Sequence, residues 1–445
     1  MEQFISHLLQ FPRRVLLFYW LCFIFPFPFD LVGLPVQLIE PNSQPEWMKA
    51  YAEYYGKAYS WIYQTKNEIC QWVGPKVFDK PVVIQMTGSG DTMRNYVGCF
   101  CAAVIAVALA VIWSIVLLVL HFFNINWNGD RWLHGVVRVF VRFFLIQMLF
   151  GYGFAKVFPL QFPPPTSFRL NQALGDMSPM GLLWTFMGFS TPYQMFTGAV
   201  EVLAGLCLVT RRTTTLGALL TIAAMTQIFA LNMCFDVPVK LYSLHYLMMG
   251  VFLLIPDMPR LFKLLVLGRS VETTQFQLFC NNKWCSRLTL IFRTLLVAAM
   301  LFGQIQVGYK RWNDTYGGEP PPVKGRWQSV SVQLDGKPAA TDDMLNISFL
   351  DFAGNNLVRI TTAKPPILAY RITWHQDEKK LVLGKFSTPT WSASFQYQMP
   401  TPEQLQLTGS MDGRRIDASF KYVPEKPSQL MNRSFNWIQE MPYNR

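Results

Sequence analysis

Seven segments of the sequence each carry about 20 predominantly apolar residues, the length at which an α-helix crosses a hydrocarbon layer of about 30 Å. Of the 445 residues, 51% are hydrophobic and only 15% are charged, which is too apolar for an ordinary soluble domain. The sequence therefore predicts an α-helical polytopic membrane protein. The predicted spans lie near residues 15–35, 95–120, 134–156, 193–210, 213–233, 239–256 and 288–308.

The first span could be confused with a signal peptide, because Arg13 and Arg14 precede its apolar residues. A small-residue cleavage site does not follow it, whereas Pro26 and Pro28 do. We therefore expect this segment to remain as a membrane span.

Lys and Arg residues in the short loops indicate orientation, since they are enriched on the cytoplasmic side of a membrane. Their pattern predicts a cytoplasmic N-terminus and places everything after Tyr309 outside. The net charge of +12 is then mainly an orientation signal, and no basic, aromatic-rich soluble face indicates a nucleic-acid partner. The residues that define this side are Arg13, Arg14, Arg131, Arg138, Arg211, Arg212, Arg260, Lys263, Arg269, Lys283 and Arg287.

The eight cysteines are scattered and form no CxxC pair, so we expect free thiols. Cys22, Cys99 and Cys101 lie in or beside spans, where cysteine usually acts as a small apolar residue. Cys280 and Cys285 would need two further ligands to hold a metal ion. The sequence therefore predicts no metal site, and it contains no HExxH or GxSxG motif.

Residues 47–73, after the first span, are rich in Tyr and Trp and predict one amphipathic helix at the outer membrane interface. Between the third and fourth spans, three prolines at 163–165 predict a stiff start. Ser178 as N-cap and Pro179 behind it then predict a short or re-entrant helix, SPMGLLWTFMG.

The stretch TGSGDT at residues 87–92 offers glycines, hydroxyls and a carboxylate just before the second span. A phosphate-binding loop would need a preceding strand and a following Lys-Ser/Thr, which this stretch lacks. Thr87, Ser89 and Asp91 therefore have two interpretations. Either Asp91 or Thr92 caps the second span, or the start of that helix forms an exposed site for an anion or lipid head group.

Residues 325–422 change to eight short alternating runs, separated by turns such as DG at 335–336, GN at 354–355 and DG at 412–413. This pattern predicts a C-terminal all-β antiparallel up-and-down barrel, with a sandwich as the alternative. Gly325 and Trp327 are similar to the Gly-x-Trp that opens lipocalin-type barrels. A lipocalin-like barrel could enclose a ligand cavity or be filled by side chains.

Ionisable residues within the spans are candidate functional groups, because each is costly in hydrocarbon unless it meets a partner or water. Glu201 lies about 12 Å into the fourth span at 1.5 Å per residue. Its candidate partners are Arg142, Lys156 and His245, in either a structural ion pair or a proton or ligand site. Arg138 and Arg142 share a helix face near the cytoplasmic end, where their side chains could extend to the interface.

The segment LNMCFDVPVKL at residues 231–241 joins the fifth and sixth spans. Asp236 could cap the sixth span and pair with Lys240 four residues later. In the functional alternative, these two residues line a polar outer cavity together with Lys156 and Glu201. The SPMGLLWTFMG helix, which carries Trp184, would close this cavity, and its floor would hold Tyr242 and the candidate proton carrier His245.

The third to sixth spans resemble the DoxX-like family of bacterial membrane proteins. The resemblance rests on RFFLIQMLFGYGFAKVFPLQF, SPMGLLWTFMG, GAVEVLAGLCLVTRRTTTLGALL and LNMCFDVPVKL. The order of helices also looks like the membrane core of lipase maturation factors and vitamin K-dependent carboxylase relatives. The resemblance implies a four-helix bundle in the bacterial cytoplasmic membrane, with Lys156 and Glu201 at recurring polar positions. Some family members are described as subunits of quinone-linked sulfur oxidation.

These patterns predict seven parts of the chain, which are the N-terminal span 1–40, the outer helix and TGSGDT turn 41–93, the second span and cytoplasmic loop 94–133, the DoxX-like core 134–257, the cytoplasmic loop and last span 258–312, the periplasmic β-domain 313–424 and an aromatic, charged tail 425–445.

Two functions remain open from the sequence. In the first, the protein binds quinone or another lipophilic molecule at the outer leaflet as a subunit of a membrane redox complex, with Glu201 and His245 moving protons and Lys156 or Lys240 orienting a carbonyl. In the second, the β-domain and the tail, with Trp437 in it, hold an envelope protein partner or membrane lipid without catalysis.

Overall fold

A computed structural model gives the fold of the chain apart from residues 1, 40–42, 86, 126, 273–282, 318–319, 355, 363–367, 386–389, 425–427, 434–438 and 441–445. Two compact units are present. A helical unit comprises Met1–Phe158 and Gln194–Tyr309, and a second unit comprises Pro159–Tyr193 and Lys310–Arg445. Residues 159–193, which lie inside the predicted core 134–257, thus group with the β-domain.

Helices account for the first unit, and seven of the described helical segments are long and apolar enough to cross a membrane. They correspond one to one with the predicted spans, so the fold class is confirmed for this part of the chain. The α-helices of the described chain, of which α6, α7 and α13 belong to the second unit, are α1 (Glu2–Ile24), α2 (Leu34–Leu38), α3 (Glu46–Phe78), α4 (Met93–Phe122), α5 (Gly129–Val157), α6 (Ser167–Leu170), α7 (Pro179–Phe189), α8 (Thr191–Val209), α9 (Thr214–Cys234), α10 (Lys240–Leu254), α11 (Met258–Leu265), α12 (Lys283–Tyr316) and α13 (Gln429–Asn432).

Helix α5 lies at the centre of the helical unit. Its buried residues recur every four positions, which places them on one face of a helix. Leu133, Val137, Val141, Leu145 and Leu149 are each at most 3% exposed. Because α1, α8, α9, α10 and α12 contribute to the same apolar cluster, α5 is the element against which the other helices pack.

One end of this bundle is held by Arg14. The sequence placed Arg14 among the loop residues that indicate orientation, but its side chain is only 1% exposed. Its guanidinium donates to both carboxylate oxygens of Asp130, at 2.8 and 2.6 Å, and to Ser114 Oγ at 2.8 Å. This contact joins α1 to α4 and to the start of α5.

Helix α3 confirms the predicted amphipathic helix and extends it to Phe78. Tyr51, Tyr55, Tyr59 and Tyr63 follow each other at four-residue spacing, and their neighbouring rings lie 4.9–6.5 Å apart. The Tyr51 hydroxyl donates to the Val32 carbonyl at 2.6 Å. This ladder of rings fixes α3 to the chain that follows α1.

The second unit contains a closed antiparallel barrel, as the sequence predicted, and the sandwich alternative is wrong. Eight strands follow one another in a meander, and β1 also pairs with β9 to close the sheet, while the two-residue β2 forms a hairpin with β1. The strands are β1 (Gly325–Leu334), β2 (Lys337–Pro338), β3 (Ile347–Ala353), β4 (Leu357–Thr362), β5 (Leu368–His375), β6 (Lys380–Gly384), β7 (Ser392–Thr401), β8 (Gln404–Met411) and β9 (Arg414–Val423).

Side chains fill the interior of this barrel. The cavity among these side chains has a volume of about 20 Å³, room for about one water molecule. Trp327 of the Gly-x-Trp is 2% exposed, and its Nε1 donates to the Lys324 carbonyl at 2.9 Å. Of the two predicted alternatives, the described residues therefore support the filled barrel, and the cavity among them is too small for a ligand larger than water.

The segment between the third and fourth spans has the predicted short helix α7. Ser178 caps it by accepting from Gly181 N at 3.1 Å, and Pro179 is its first residue. Arg359 of β4 donates to Thr166 Oγ1 at 2.9 Å, at the start of α6. This bond helps attach the segment to the barrel.

Three expectations fall on parts of the chain that the structure does not describe. Trp437 and most of the tail, Cys280 and Asn355 of the predicted GN turn all lie outside the described residues.

The hairpin turns of the barrel lead to a test. Asp412 and Gly413 take φ of +50° and +79°, as the mirror-image turn between β8 and β9 requires. We expect Gly413→Ala to destabilise this hairpin by about 1–2 kcal/mol, because a Cβ is disfavoured at positive φ. Amide hydrogen exchange of β8 and β9, followed by mass spectrometry in the intact protein, would show faster exchange.

Gly384 provides the matched control, because it lies in a strand and has open space where a Cβ would be. Gly384→Ala should leave exchange in its hairpin unchanged or slower. Equal effects of the two substitutions would contradict the turn assignment.

Candidate functional site

The predicted pair of Lys156 and Glu201 is present. Lys156 Nζ and Glu201 Oε1 lie 2.6 Å apart, and the two side chains are 7% and 2% exposed. Of the three candidate partners of Glu201, Lys156 is therefore the one that binds it. The second oxygen, Oε2, is buried without a hydrogen-bond partner among the described residues.

Two glycines make this contact feasible. A Cβ on Gly198 of α8 would lie 2.5 Å from the Gly153 carbonyl of α5, and a Cβ on Gly153 would lie 2.9 Å from the Gly198 carbonyl. The two helix backbones can therefore touch only where both residues lack side chains. Lys156 and Glu201 each follow their glycine by three residues, about one turn, and so meet beside the crossing.

Breaking this buried pair should be costly. We expect Lys156→Met to destabilise the protein by about 3–5 kcal/mol, because it leaves a buried carboxylate without its cation. Lys156→Met combined with Glu201→Gln should cost less than the sum of the two single changes. Thermal unfolding of the purified protein in detergent would measure all three variants.

The exposed pair of Lys49 and Glu46 on α3, 2.7 Å apart, serves as the control. Lys49→Met should change stability by less than about 1 kcal/mol. Additive effects at Lys156 and Glu201 would show that the two side chains do not interact.

Asp91 of the TGSGDT stretch caps a different helix from the one expected. Its carboxylate accepts from the backbone N–H groups of Lys240 and Leu241, both at 2.9 Å, at the start of α10. Thr92 is the N-cap of α4 but makes no side-chain capping bond. The prediction that Asp91 or Thr92 caps the second span by a side chain is thus wrong, because a segment distant in sequence presents the better-placed donors.

The rest of the stretch positions this cap. Gly88 turns the chain at φ +77°, Thr87 Oγ1 accepts from Ser89 N at 3.3 Å, and Ser89 Oγ accepts from Asp91 N at 3.1 Å. Gly90 N donates to the Pro238 carbonyl at 2.7 Å. Since the protein's own carboxylate occupies the first amides of α10, those amides are not free for an external anion.

Asp236 does not cap the sixth span, contrary to expectation, because Asp91 already does. Asp236 instead pairs with Lys240 at 2.8 Å, which confirms the predicted pair, and Lys240 Nζ lies 3.9 Å from Asp91. Among the described residues, no hydrogen bond or ion pair joins this group to Lys156 and Glu201.

His245 is held by hydrogen bonds on both ring nitrogens. Nε2 lies 2.7 Å from the Tyr19 hydroxyl, and Nδ1 lies 2.7 Å from the Leu241 carbonyl. The ring stacks on Phe23 at 4.1 Å. Tyr19 in turn interacts electrostatically with the nearby Cys99 thiol. The imidazole is thus hydrogen-bonded to a tyrosine that lies near a thiol.

That thiol lines a cavity of about 590 Å³, in the size range of sites for small lipophilic molecules. The cavity lies between the end of α1, the middle of α3, the first half of α4 and the start of α10. Its walls are mainly apolar and include Phe23, Phe25, Ile62, Ile69, Gly98, Ile105 and Tyr242.

Two cations, Lys66 and Arg94, also line this cavity. Lys66 Nζ donates to the Phe25 carbonyl at 2.8 Å, and Arg94 Nε donates to Asn67 Oδ1 at 2.7 Å. Among the described residues, neither cation forms an ion pair with a carboxylate. Burial, followed by the nearby Arg94 charge, lowers the pKa of Lys66. The cavity therefore combines apolar walls with positive charge.

Of the ligand-binding residues expected from the sequence, only Tyr242 lines this cavity. Lys156, Glu201, Asp236 and Lys240 lie elsewhere in the helical unit. Trp184 lies on α7 in the second unit, where its ring packs edge to face on Phe162 at 4.9 Å.

Lys66 and Arg94 were missed because they lie outside the core of any predicted span and 28 positions apart. One signal was present, however. Lys66 lies in the aromatic helix α3, close to Trp61 and Ile62. A cation among aromatic and apolar residues indicates a helix face that is neither fully solvated nor fully buried.

Four thiols line the cavity, and two of them belong to one apolar cluster. Cys101 of α4 packs against the cluster that contains Cys70 of α3, while Cys22 and Cys99 lie on the same lining. All four are free, as expected. Sequence spacing did not indicate the Cys70 and Cys101 pair because its members come from different helices.

This packing predicts a specific cross-link. Mild oxidation with copper phenanthroline should join Cys70 to Cys101, because thiols in one packed cluster need little movement to reach disulfide geometry. Peptide mapping of the intact protein would identify the linked pair. Cys99, two residues from Cys101 but outside this cluster, is the internal control, and preferential linkage of Cys70 to Cys99 would contradict the packing of α3 on α4.

The helix bundle and the barrel together define a polytopic membrane protein that carries a closed β-barrel domain. The chain is 36% identical over 116 residues to the uncharacterized protein YwoB of Bacillus subtilis (strain 168), and the match covers 26% of this chain and 73% of YwoB. The chain therefore belongs to the same family as YwoB. No family model and no solved structure matches the chain. Since YwoB is uncharacterized, this relationship assigns no activity.

Proposed function

We propose that this membrane protein binds a lipophilic molecule in the cavity between α1, α3, α4 and α10, and that Lys66 and Arg94 orient an oxygen of its head group. The observation that carries this proposal is a pair of cations, without carboxylate partners in the described part of the chain, beside an apolar cavity of about 590 Å³. Such cations are costly unless a ligand or water solvates them.

The charge of the cavity constrains the ligand. A quinone carbonyl, a carboxylate or a phosphate could each accept hydrogen bonds from Lys66 and Arg94, and a charged acceptor would gain the most. An apolar chain attached to that head would occupy the walls formed by Phe23, Ile62 and Ile69. Lys156 and Lys240, the orienting residues expected from the sequence, are less suitable because each already binds a carboxylate.

A redox role for the same site is the second candidate, and one observation favours it. The Tyr19 hydroxyl is hydrogen-bonded to His245 at 2.7 Å, and Cys99 on the cavity wall interacts electrostatically with Tyr19. A quinone bound in the cavity would need protons on reduction, and Tyr19 and His245 could carry them. His245 would then transfer protons through Tyr19. Glu201, the other expected proton carrier, remains in its ion pair with Lys156.

The proposed setting is a bacterial cytoplasmic membrane, with the basic loops and the N-terminus in the cytoplasm and the barrel in the periplasm. The distribution of Lys and Arg supports this orientation. It would place the cavity at the outer leaflet. We also propose that the protein is a subunit of a membrane redox complex, and the resemblance to the DoxX-like family supports this. Binding of an envelope partner by the barrel is the alternative proposal.

Extraction of gently purified protein followed by mass spectrometry tests the binding function. We expect one lipophilic molecule per protein, and about tenfold lower occupancy in Lys66→Met and in Arg94→Gln, since a hydrogen bond to a charged group contributes about 1.5 kcal/mol or more. A bound quinone would favour the redox candidate, and a fatty acid or phospholipid would favour lipid binding.

Lys76→Met is the matched control, because Lys76 lies on the same helix but is exposed, with its ammonium 3.8 Å from the Trp72 ring. Its occupancy should equal that of the wild type. Extracts without a bound molecule, or occupancy that all three variants leave unchanged, would refute the proposal.

A further inference from the structure

A second group of cations lies at the N-terminus of α9, whereas the turn into α10 follows the C-terminus of that helix. It comprises Arg142 of α5, Arg211 of the α8–α9 turn and Arg293 of α12. The sequence suggested that Arg142 extends to the membrane interface, yet its side chain is 9% exposed. Arg142 is therefore enclosed by protein rather than solvated.

The hydrogen bonding of Arg142 is incomplete. Its Nη1 lies 3.5 Å from Thr214 Oγ1, which is a marginal distance, and its Nε is buried without a partner. Arg293 Nε is likewise buried without a partner among the described residues. Thr214 in turn donates to the Thr210 carbonyl at 2.8 Å, so its hydroxyl proton is already used.

The charges in this region add to one another. Arg211 and Arg293 both act electrostatically on Arg142, and burial followed by the Arg293 charge lowers the pKa of Arg211. The carboxylate of Asp257 does not relieve this repulsion at Arg142, because it accepts from Thr215 Oγ1 at 2.8 Å and pairs with Arg260 at 3.3 Å.

The start of α9 adds further positive potential. Thr214 is the first residue of this 21-residue helix, the first turn contains no acidic residue, and the N-cap residue Thr213 makes no side-chain capping bond. The N-terminus of a helix carries a partial positive charge, so a guanidinium beside it is unfavourable unless an anion lies between them. Among the described residues, neither Arg142 nor the first turn of α9 is therefore seen to bind a negative group.

We propose that Arg142, Arg211, Arg293 and the first turn of α9 bind the phosphate of an anionic phospholipid. Guanidinium groups match phosphate through paired N–H donors. A membrane lipid fits better than a soluble phosphate, because exposed apolar residues follow the cations along the chain. Leu216 is 51% exposed and Leu295 is 65% exposed, which leaves surface for acyl chains beside the charges.

Native mass spectrometry of the full chain, delipidated in detergent, tests this proposal. Dioleoylphosphatidylglycerol should bind at least fivefold more tightly than dioleoylphosphatidylcholine. Each of Arg142→Gln and Arg293→Gln should weaken phosphatidylglycerol binding about fivefold, the effect of one basic residue near an anionic lipid. Because Arg142 is buried and its variant could fail to fold, Arg293→Gln decides the outcome in that case.

Arg212→Gln is the control, since Arg212 adjoins Arg211 in sequence but is exposed to solvent. It should bind phosphatidylglycerol like the wild type. Equal binding by wild type, Arg293→Gln and Arg212→Gln would overturn the site. Displacement of phosphatidylglycerol by millimolar inorganic phosphate would contradict the assignment of a lipid ligand and would indicate a site for soluble phosphate. None of these residues lines the cavity of the proposed function, so either site can fail without the other.

Discussion

The helical unit depends on how charge is compensated inside an apolar body. A buried ion is stable only when a partner of opposite charge, or a dense set of hydrogen bonds, replaces the water it has lost. Arg14 finds Asp130, and Lys156 finds Glu201, so these two pairs join helices and need nothing from outside. Among the described residues, Arg142, Lys66 and Arg94 have no carboxylate partner of this kind. The same physical rule therefore separates the cations that maintain the fold from the cations for which we propose a ligand.

The cavity walls are held in place by polar contacts from distant parts of the chain. Asp91 fixes the start of α10, which carries Tyr242, and Tyr19 bonds to His245 one turn further along that helix. The tyrosine ladder of α3 fixes the wall that carries Lys66. Since these contacts link helices α1, α3, α4 and α10, the site is preformed, and little of the binding free energy would be spent on ordering it.

Local patterns in the sequence were sufficient for the seven spans, the eight barrel strands and the DG turns, because each depends on residues close together in the chain. Long-range contacts were not predictable in this way. Asp91 was expected to cap the adjacent helix but caps α10, some 150 residues away, and displaces Asp236 from that role. The pairing of Lys156 with Glu201 could be anticipated, since few ions compete within the spans. The cavity could not be anticipated from the sequence. Its walls come from four helices, and its two cations come from segments that mix polar and apolar residues.

Closure of the barrel has a further consequence for the second unit. Each of its eight long strands is hydrogen-bonded to a neighbour on both sides, because β1 completes the circle with β9. A sheet without an open edge cannot accept an additional strand from another polypeptide, which is a common route by which β-domains capture peptides and by which they aggregate. Any protein that docks on this domain must recognise side chains on its outer face or its hairpins. Specificity would then reside in residues that the fold leaves free to vary.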